Sequence, residues 1–168
     1  MRAILLLASL LLLPVFSLCE DGGSAQAPEA DTVCTFGDGQ QLSVRYLAVP
    51  FQKGTKLTYG KVWTPGNRPM YLFTQTGLSF GSTSVAPGAY SLFVIPGEDN
   101  WTLAINKNVE KDAAYDSKQD VTRFKADTGT LPNKADALNL YFGRLSPTKC
   151  TLRIDYGKQR AFADFQQK

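Results

Sequence analysis

Apolar and polar residues alternate in short runs along this 168-residue chain, and turn-forming residues separate the runs. The clearest example is the pair AYSLFVI (89–95) and WTLAIN (101–106), which flank the turn formers PGEDN. Alternation with a period of two is typical of half-buried strands, and a Pro/Gly/Asn cluster between two such runs predicts a hairpin. We therefore expect Trp101, Leu103 and Ile105 to face the core together.

The rest of the chain shows the same pattern, and no segment has apolar residues at 3.6-residue spacing over the length of a helix. Gly157-Lys158 joins the last two runs and predicts a second hairpin, whereas Leu131-Pro132-Asn133 predicts a break between two strands. We expect an all-β fold, an antiparallel β-sandwich of about nine short strands, with an open β-barrel as the alternative. The further runs are QLSVRYLAV, KLTYGKVW, PMYLFTQT, LSF, VTRFKA, ADALNLYF, CTLRIDY and QRAFADF.

The amino terminus has the features of an export signal. A basic start precedes an almost unbroken apolar run from Ile4 to Phe16, which is too short for a membrane span. We divide the chain into a signal peptide (1–25), a flexible leader rich in Gly, Ala, Pro and acids (26–33), and one domain (34–168). The expected location is periplasmic or extracellular.

Three processing routes remain open at this stage. A signal peptidase could cut after Cys19 or after Ala25, since small residues precede both positions. A lipoprotein peptidase could instead cut before Cys19 and leave that residue acylated, and only this route places the protein on a membrane. Every route leaves Cys34 and Cys150 as the cysteines of the domain. In an exported protein, such a pair predicts a disulfide.

Composition argues against several classes of function. The chain has no histidine, which removes the commonest general base and metal ligand, and no Ser-x-x-Lys motif in a helical context replaces it. The net charge is only +3 and the basic residues are scattered, so we expect no nucleic-acid partner. Asp112, Asp116 and Asp120 lack the alternate spacing of a calcium loop. We therefore expect no enzyme activity, no metal and no cofactor.

Three segments together resemble a family of exported bacterial proteins, the domain of unknown function 2911. They are YGKVW (59–63), APGAYSLFVIPGEDNWTLAINK (86–107) and CTLRIDY (150–156), in this order. The resemblance implies a compact β-rich domain outside the cytoplasm, and it implies no substrate and no catalytic residue. Family members usually have an arginine and a glycine after the tryptophan, then an asparagine–glutamate pair. Here Trp63 is followed by TPGNRP, so the polar residues of that segment differ.

A ligand groove is the functional site that the sequence favours. Tyr59 and Trp63 lie at a strand end beside a turn, and Asn67 and Arg68 follow them. Aromatic rings beside hydrogen-bonding or charged groups suit small polar ligands and glycans. The first hypothesis is a non-catalytic binding module in the periplasm or at the cell surface. The alternatives are a structural or protein-interaction domain of the cell envelope and, third, a histidine-free hydrolase or transferase. The oligomeric state stays open.

Overall fold

The computed structural model describes residues 26–168. Within this part the fold is all-β and antiparallel, as predicted, and its only helical pieces are two single 3₁₀ turns, Pro65–Asn67 and Ser117–Gln119. The strands are β1 (Glu29–Thr35), β2 (Gln41–Leu47), β3 (Met70–Thr74), β4 (Leu78–Phe80), β5 (Thr83–Val85), β6 (Gly88–Ile95), β7 (Asn100–Asn106), β8 (Asp120–Ser146) and β9 (Lys149–Gln167). None of the described helical segments is long and apolar enough to cross a membrane.

The nine described strands form one sheet in the order β1-β2-β3-β6-β7-β8-β9-β4-β5. The sheet curls until β1 lies against the second half of β8, where the Phe142 amide donates a hydrogen bond to Thr32 Oγ1 at 2.9 Å. No backbone ladder joins these two strands between residues 26 and 168, so the sheet is not closed into a barrel. The inward faces of the curled sheet enclose the core, which gives a sandwich-like fold.

The long strand β9 reverses direction at Gly157. An extended strand of 19 residues would span about 60 Å, yet the Gln167 amide donates to the Thr148 carbonyl at 2.8 Å. Lys149 also pairs with Asp164 at 2.7 Å. Gly157 has φ +60°, which fits the first central position of a type II′ turn. The predicted hairpin of CTLRIDY and QRAFADF is therefore present inside β9.

The residue pattern of β9 follows from this reversal. Cys150, Leu152, Ile154 and Tyr156 face the core before the turn, and Ala161, Ala163 and Phe165 face it afterwards. Opposed residues of a hairpin point to the same side of a sheet, and a two-residue turn changes the inward positions from even to odd numbers. The hairpin thus contributes two adjacent rows of apolar side chains to one core.

The strand β8 wraps around the tip of this hairpin. Its first half pairs with β7 and then, through Asp127–Thr130, with the second half of β9, whereas Asn139–Ser146 pair with the first half of β9. The residues between them, 131–138, cross the hairpin tip, and of these only Ala135 pairs with β9, opposite Gly157. Pro132 has no amide hydrogen and needs no ladder partner there. The predicted break at Leu131-Pro132-Asn133 is therefore a crossing, and the four segments form a Greek key.

The core confirms the sequence prediction for the central hairpin. β6 and β7 pair antiparallel with Leu92 opposite Ile105 and Val94 opposite Leu103. Trp101, Leu103 and Ile105 are all at most 2 % exposed. They belong to one continuous apolar cluster that includes residues of every long strand. A single core of this kind is what one domain of this length requires.

Two predictions about the amino-terminal half need correction. Residues 29–33 were expected in a flexible leader, but β1 begins at Glu29 and pairs with β2 from Glu29 opposite Leu47 onward. KLTYGKVW was expected to be a strand, but only Trp63 of this run makes a bridge, to Val94. The predicted signal peptide (1–25), its cleavage sites and Cys19 lie outside the described residues.

The predicted disulfide between Cys34 and Cys150 is present, with an S–S distance of 2.06 Å. Both residues are buried, and they join β1 to the first half of β9. The bond therefore ties the edge strand β1 to the β9 hairpin, and no backbone ladder joins these two described strands. It is flanked by the hydrogen bond from the Gly37 amide to the Pro147 carbonyl at 2.6 Å.

Breaking this disulfide should destabilise the domain strongly. The bond closes a loop across 116 positions, for which the chain-entropy model gives a contribution of about 4 to 5 kcal/mol. We expect Cys34→Ala/Cys150→Ala to lose a free energy of unfolding of this order, measured by urea denaturation. The oxidised and reduced forms of the natural sequence provide the control. An unchanged denaturation midpoint in both comparisons would contradict this role.

Substitution of Gly157 should also be costly, for two separable reasons. Any other residue at this position would have to adopt the left-handed φ of Gly157. In addition, its Cβ would collide with the ring of Phe51. Gly81 has nearly the same φ, +59°, with nothing within 4 Å of the added atom. Gly81→Ala should therefore cost only the backbone strain, about 1 to 2 kcal/mol. Gly157→Ala should cost about 1 to 3 kcal/mol more. Equal losses in urea denaturation would show that Phe51 does not restrict this turn.

Candidate functional site

The loop between β2 and β3 is hydrogen-bonded to neighbouring strands near both ends of the loop. The Phe51 amide donates to the Asp136 carbonyl of β8 at 2.7 Å. At the other end, the Trp63 amide donates to the Val94 carbonyl of β6 at 2.8 Å. The Gly60 amide donates to the Pro96 carbonyl at 2.8 Å. The intervening residues are thereby held over the tip of the β9 hairpin.

An aromatic cluster lies beneath this loop. The ring of Trp63 packs edge-on against Trp101, with centroids 6.1 Å apart, and in a tilted orientation against Tyr156 at 4.9 Å. Phe51 packs against the other side of Tyr156 at 5.1 Å. Such edge-to-face pairs fix the orientation of each ring. Trp63 is therefore part of the packing below the loop and does not form an exposed platform.

Two adjacent cavities lie between the loop and the hairpin tip, and they share Tyr59 and Gln159 as lining residues. Tyr59 itself is 50 % exposed. We call the two cavities together the Tyr59 groove. The first, of about 330 Å³, is lined by Phe51, Thr55, Lys56, Leu57, Tyr59, Tyr156, Lys158 and Gln159. The second, of about 340 Å³, is lined by Tyr59, Gly97, Glu98, Trp101, Thr128, Gly129, Thr130, Gln159 and Arg160.

The two cavities differ in polarity. The first has rings and the Leu57 side chain as walls, whereas the second has hydroxyl groups from Thr128 and Thr130 and the carboxyl group of Glu98. Burial raises the pKa of the Tyr156 phenol, so this group stays neutral and serves as a wall. An apolar part and a hydrogen-bonding part thus meet at Tyr59, which is a common arrangement in ligand sites.

The basic residues of the groove differ in how their charge is balanced. Arg160 makes two hydrogen bonds to the Asp155 carboxylate, at 2.8 and 3.0 Å, and shares this carboxylate with Arg153, which lies 3.3 Å from it. The Lys158 ammonium instead donates to the Pro132 carbonyl at 2.7 Å, a neutral acceptor. Lys56 makes no ion pair with any of residues 26–168. The first cavity therefore carries two uncompensated positive charges.

The four residues that the sequence singled out do not line one cavity. Tyr59 lies at the centre of the groove, and Trp63 packs beneath it. Asn67 occupies a tight turn with φ +59°, and its amide donates to the Thr64 carbonyl at 3.0 Å. Arg68 lies on the outer face of the sheet and pairs with Asp112 at 2.9 Å. It lines a separate cavity of about 440 Å³ with Tyr71 and Phe73.

The acidic loop after β7 forms a structural network. Asp112 pairs with Arg68, and Asp116 accepts a hydrogen bond from the Lys118 amide at 3.0 Å. Asp120 accepts hydrogen bonds from Asn106, Tyr115 and Arg123. In the described part of the chain, no three acidic or cysteine side chains are grouped as a metal site would require.

This network shifts the pKa of the Tyr115 phenol. Burial, followed by the hydrogen bond to Asp120 and the negative charge of that carboxylate, raises the pKa of Tyr115 to about 12. In the unfolded chain this group loses its proton near pH 10. Its contribution to stability is therefore complete below pH 10 and is lost as the pH rises towards 12.

Tyr115→Phe should remove the contribution to stability that is lost between pH 10 and 12. We expect the variant to lose about 1.5 to 3 kcal/mol of unfolding free energy at neutral pH, because it loses a hydrogen bond to the charged Asp120 carboxylate. Its stability should then fall less than that of the natural sequence between pH 10 and 12, in urea denaturation followed across that range. Tyr141→Phe is the control, because Tyr141 is 55 % exposed. Parallel pH profiles for all three proteins would contradict the assigned pKa.

Comparison with known proteins identifies a family but no described function. No curated protein matches the chain. No solved structure matches it either. One family model, described as "Protein of unknown function (DUF2911)", matches residues 27–165. That range contains every described strand except the last residues of β9. Because the match covers most of the chain, the protein belongs to the DUF2911 family.

Proposed function

We propose that this domain is a non-catalytic binding module for a small polar ligand or glycan, and that the ligand binds in the Tyr59 groove. The observation that carries the proposal is the pair of adjacent cavities sharing the half-exposed Tyr59 ring and Gln159. A sugar ring can stack on such an aromatic face while its hydroxyl groups reach Thr128, Thr130 and Gln159. The anchored loop and the packed rings below keep this surface preformed, which lowers the entropic cost of binding.

Action in the periplasm or at the cell surface is part of the proposal. The buried disulfide supports it, because disulfides form and persist in oxidising compartments. The absence of histidine from the sequence supports binding over catalysis. Among the described residues, the lining of the groove also offers one carboxyl group, that of Glu98, whereas glycoside hydrolysis ordinarily uses two.

A ligand screen with a matched pair of variants tests the proposal. The oxidised domain 26–168 is screened by thermal shift against monosaccharides, oligosaccharides, nucleotides and small acids. A specific ligand should stabilise the domain by about 2.7 kcal/mol at a hundredfold excess over its dissociation constant. Tyr59→Ala should abolish the shift. Tyr141→Ala, which removes another half-exposed tyrosine, should leave the shift intact.

The alternative outcomes of this screen are also informative. An equal response in both variants would place the ligand elsewhere and contradict the assigned site. A flat response across the whole panel would favour a protein-interaction domain. One surface suits that second function: Val33 and Phe73 are both exposed on the outer face of the sheet, in a cross-strand row on either side of Ser43.

A further inference from the structure

We infer that the ligand of the Tyr59 groove is a small organic acid, whose ring-shaped body lies in the first cavity and whose anionic group meets Lys56 and Lys158. This inference rests on the proposed function and narrows its ligand class. The lining of the first cavity, among the described residues, contains these two lysines and no carboxylate. A neutral sugar would leave both charges unbalanced, whereas a carboxylate would pair with them.

Lys158 is held in place before any ligand arrives. Its ammonium group donates to the Pro132 carbonyl at 2.7 Å and approaches the Leu131 carbonyl at 3.5 Å. A lysine ammonium has three donors, so one stays available for a ligand after both carbonyls are satisfied. The crossing segment of β8 thereby fixes a positive charge at the hairpin tip. Ligand binding then costs less conformational entropy at this side chain.

The apolar walls fix where the body of the acid lies. Phe51, Leu57 and Tyr156 line one side of the cavity, and Tyr59 lies at its boundary with the second cavity. Lys134 lies over the Phe51 ring at 4.6 Å and pairs with the Asp136 carboxylate at 4.0 Å, so its charge is partly balanced. Glu98, the one carboxyl group in the lining of the groove within residues 26–168, lines the second cavity, whereas the two lysines line the first. The anionic group of a ligand would thus be favoured in the first cavity and disfavoured in the second.

Two matched pairs of probes test this inference by isothermal titration calorimetry on the oxidised domain. Glucuronate is compared with glucose, and benzoate with benzyl alcohol, so that each pair differs mainly in the carboxylate. We expect the acid of at least one pair to bind about tenfold more tightly than its neutral partner, with affinity falling as salt rises. The pair that responds distinguishes a sugar acid from an aromatic acid.

Substitutions that remove the lysine charges test whether the preference for the acid arises in the first cavity. Lys56→Gln should weaken the acid about two- to fivefold without changing the neutral partner, since an exposed ion pair contributes modestly. Lys56→Gln/Lys158→Gln should abolish the preference, and its thermal midpoint shows whether the hairpin tip stays folded. Lys125→Gln is the control, because Lys125 lines a separate cavity beside Phe80 and Phe124.

The results that overturn this inference differ from those that overturn the proposed function. Equal affinity for both members of each pair, or an acid preference unchanged in the double variant, shows that charge does not select the ligand. If glucose still binds and requires Tyr59, the binding module stands and only the ligand class is wrong. If no probe binds, the inference is wrong, and the ligand screen with Tyr59→Ala decides the proposed function.

Discussion

The fold depends on holding together two ends of a sheet that do not pair. β1 contacts the second half of β8 through the hydrogen bond from the Phe142 amide to Thr32 Oγ1, and the covalent bond between Cys34 and Cys150 joins β1 to the neighbouring first half of β9. A curled sheet with an open seam exposes unpaired backbone along that seam, and such edges invite pairing with other chains. The disulfide keeps the seam together where hydrogen bonding is incomplete. The enclosed core and the groove at its end both require this constraint.

The Tyr59 groove lies where four chain segments meet, one of which is the β6–β7 turn with Glu98. The β2–β3 loop supplies its aromatic boundary, the β9 hairpin tip supplies Lys158 and Gln159, and the crossing segment of β8 supplies the carbonyls that hold Lys158. The reversal at Gly157 is what brings these parts together, because it places Tyr156 under the loop and Lys158 beside it. The conformation of Gly157 thus positions Tyr156 and Lys158, which both line the first cavity.

Sequence patterns predicted the strands well and the site only in part. Period-two alternation located both hairpins, and export together with two cysteines predicted the disulfide, because these signals are local or compositional. KLTYGKVW also has strand-forming residues, but its backbone is anchored by isolated contacts instead of a ladder. Tyr59 was identified, whereas Lys158 was assigned to a turn and Gln159 to the start of a strand. Their role depends on a long-range approach of the loop that no local pattern encodes.

The aromatic packing beneath the groove has an optical consequence. The chain contains two tryptophans, Trp63 and Trp101, and both belong to the cluster around Tyr156. Trp101 also lines the second cavity. Every indole of the natural protein therefore lies at or directly below the same surface. The tryptophan emission of the protein therefore reports on the environment of the groove, so occupancy can be followed without any attached label.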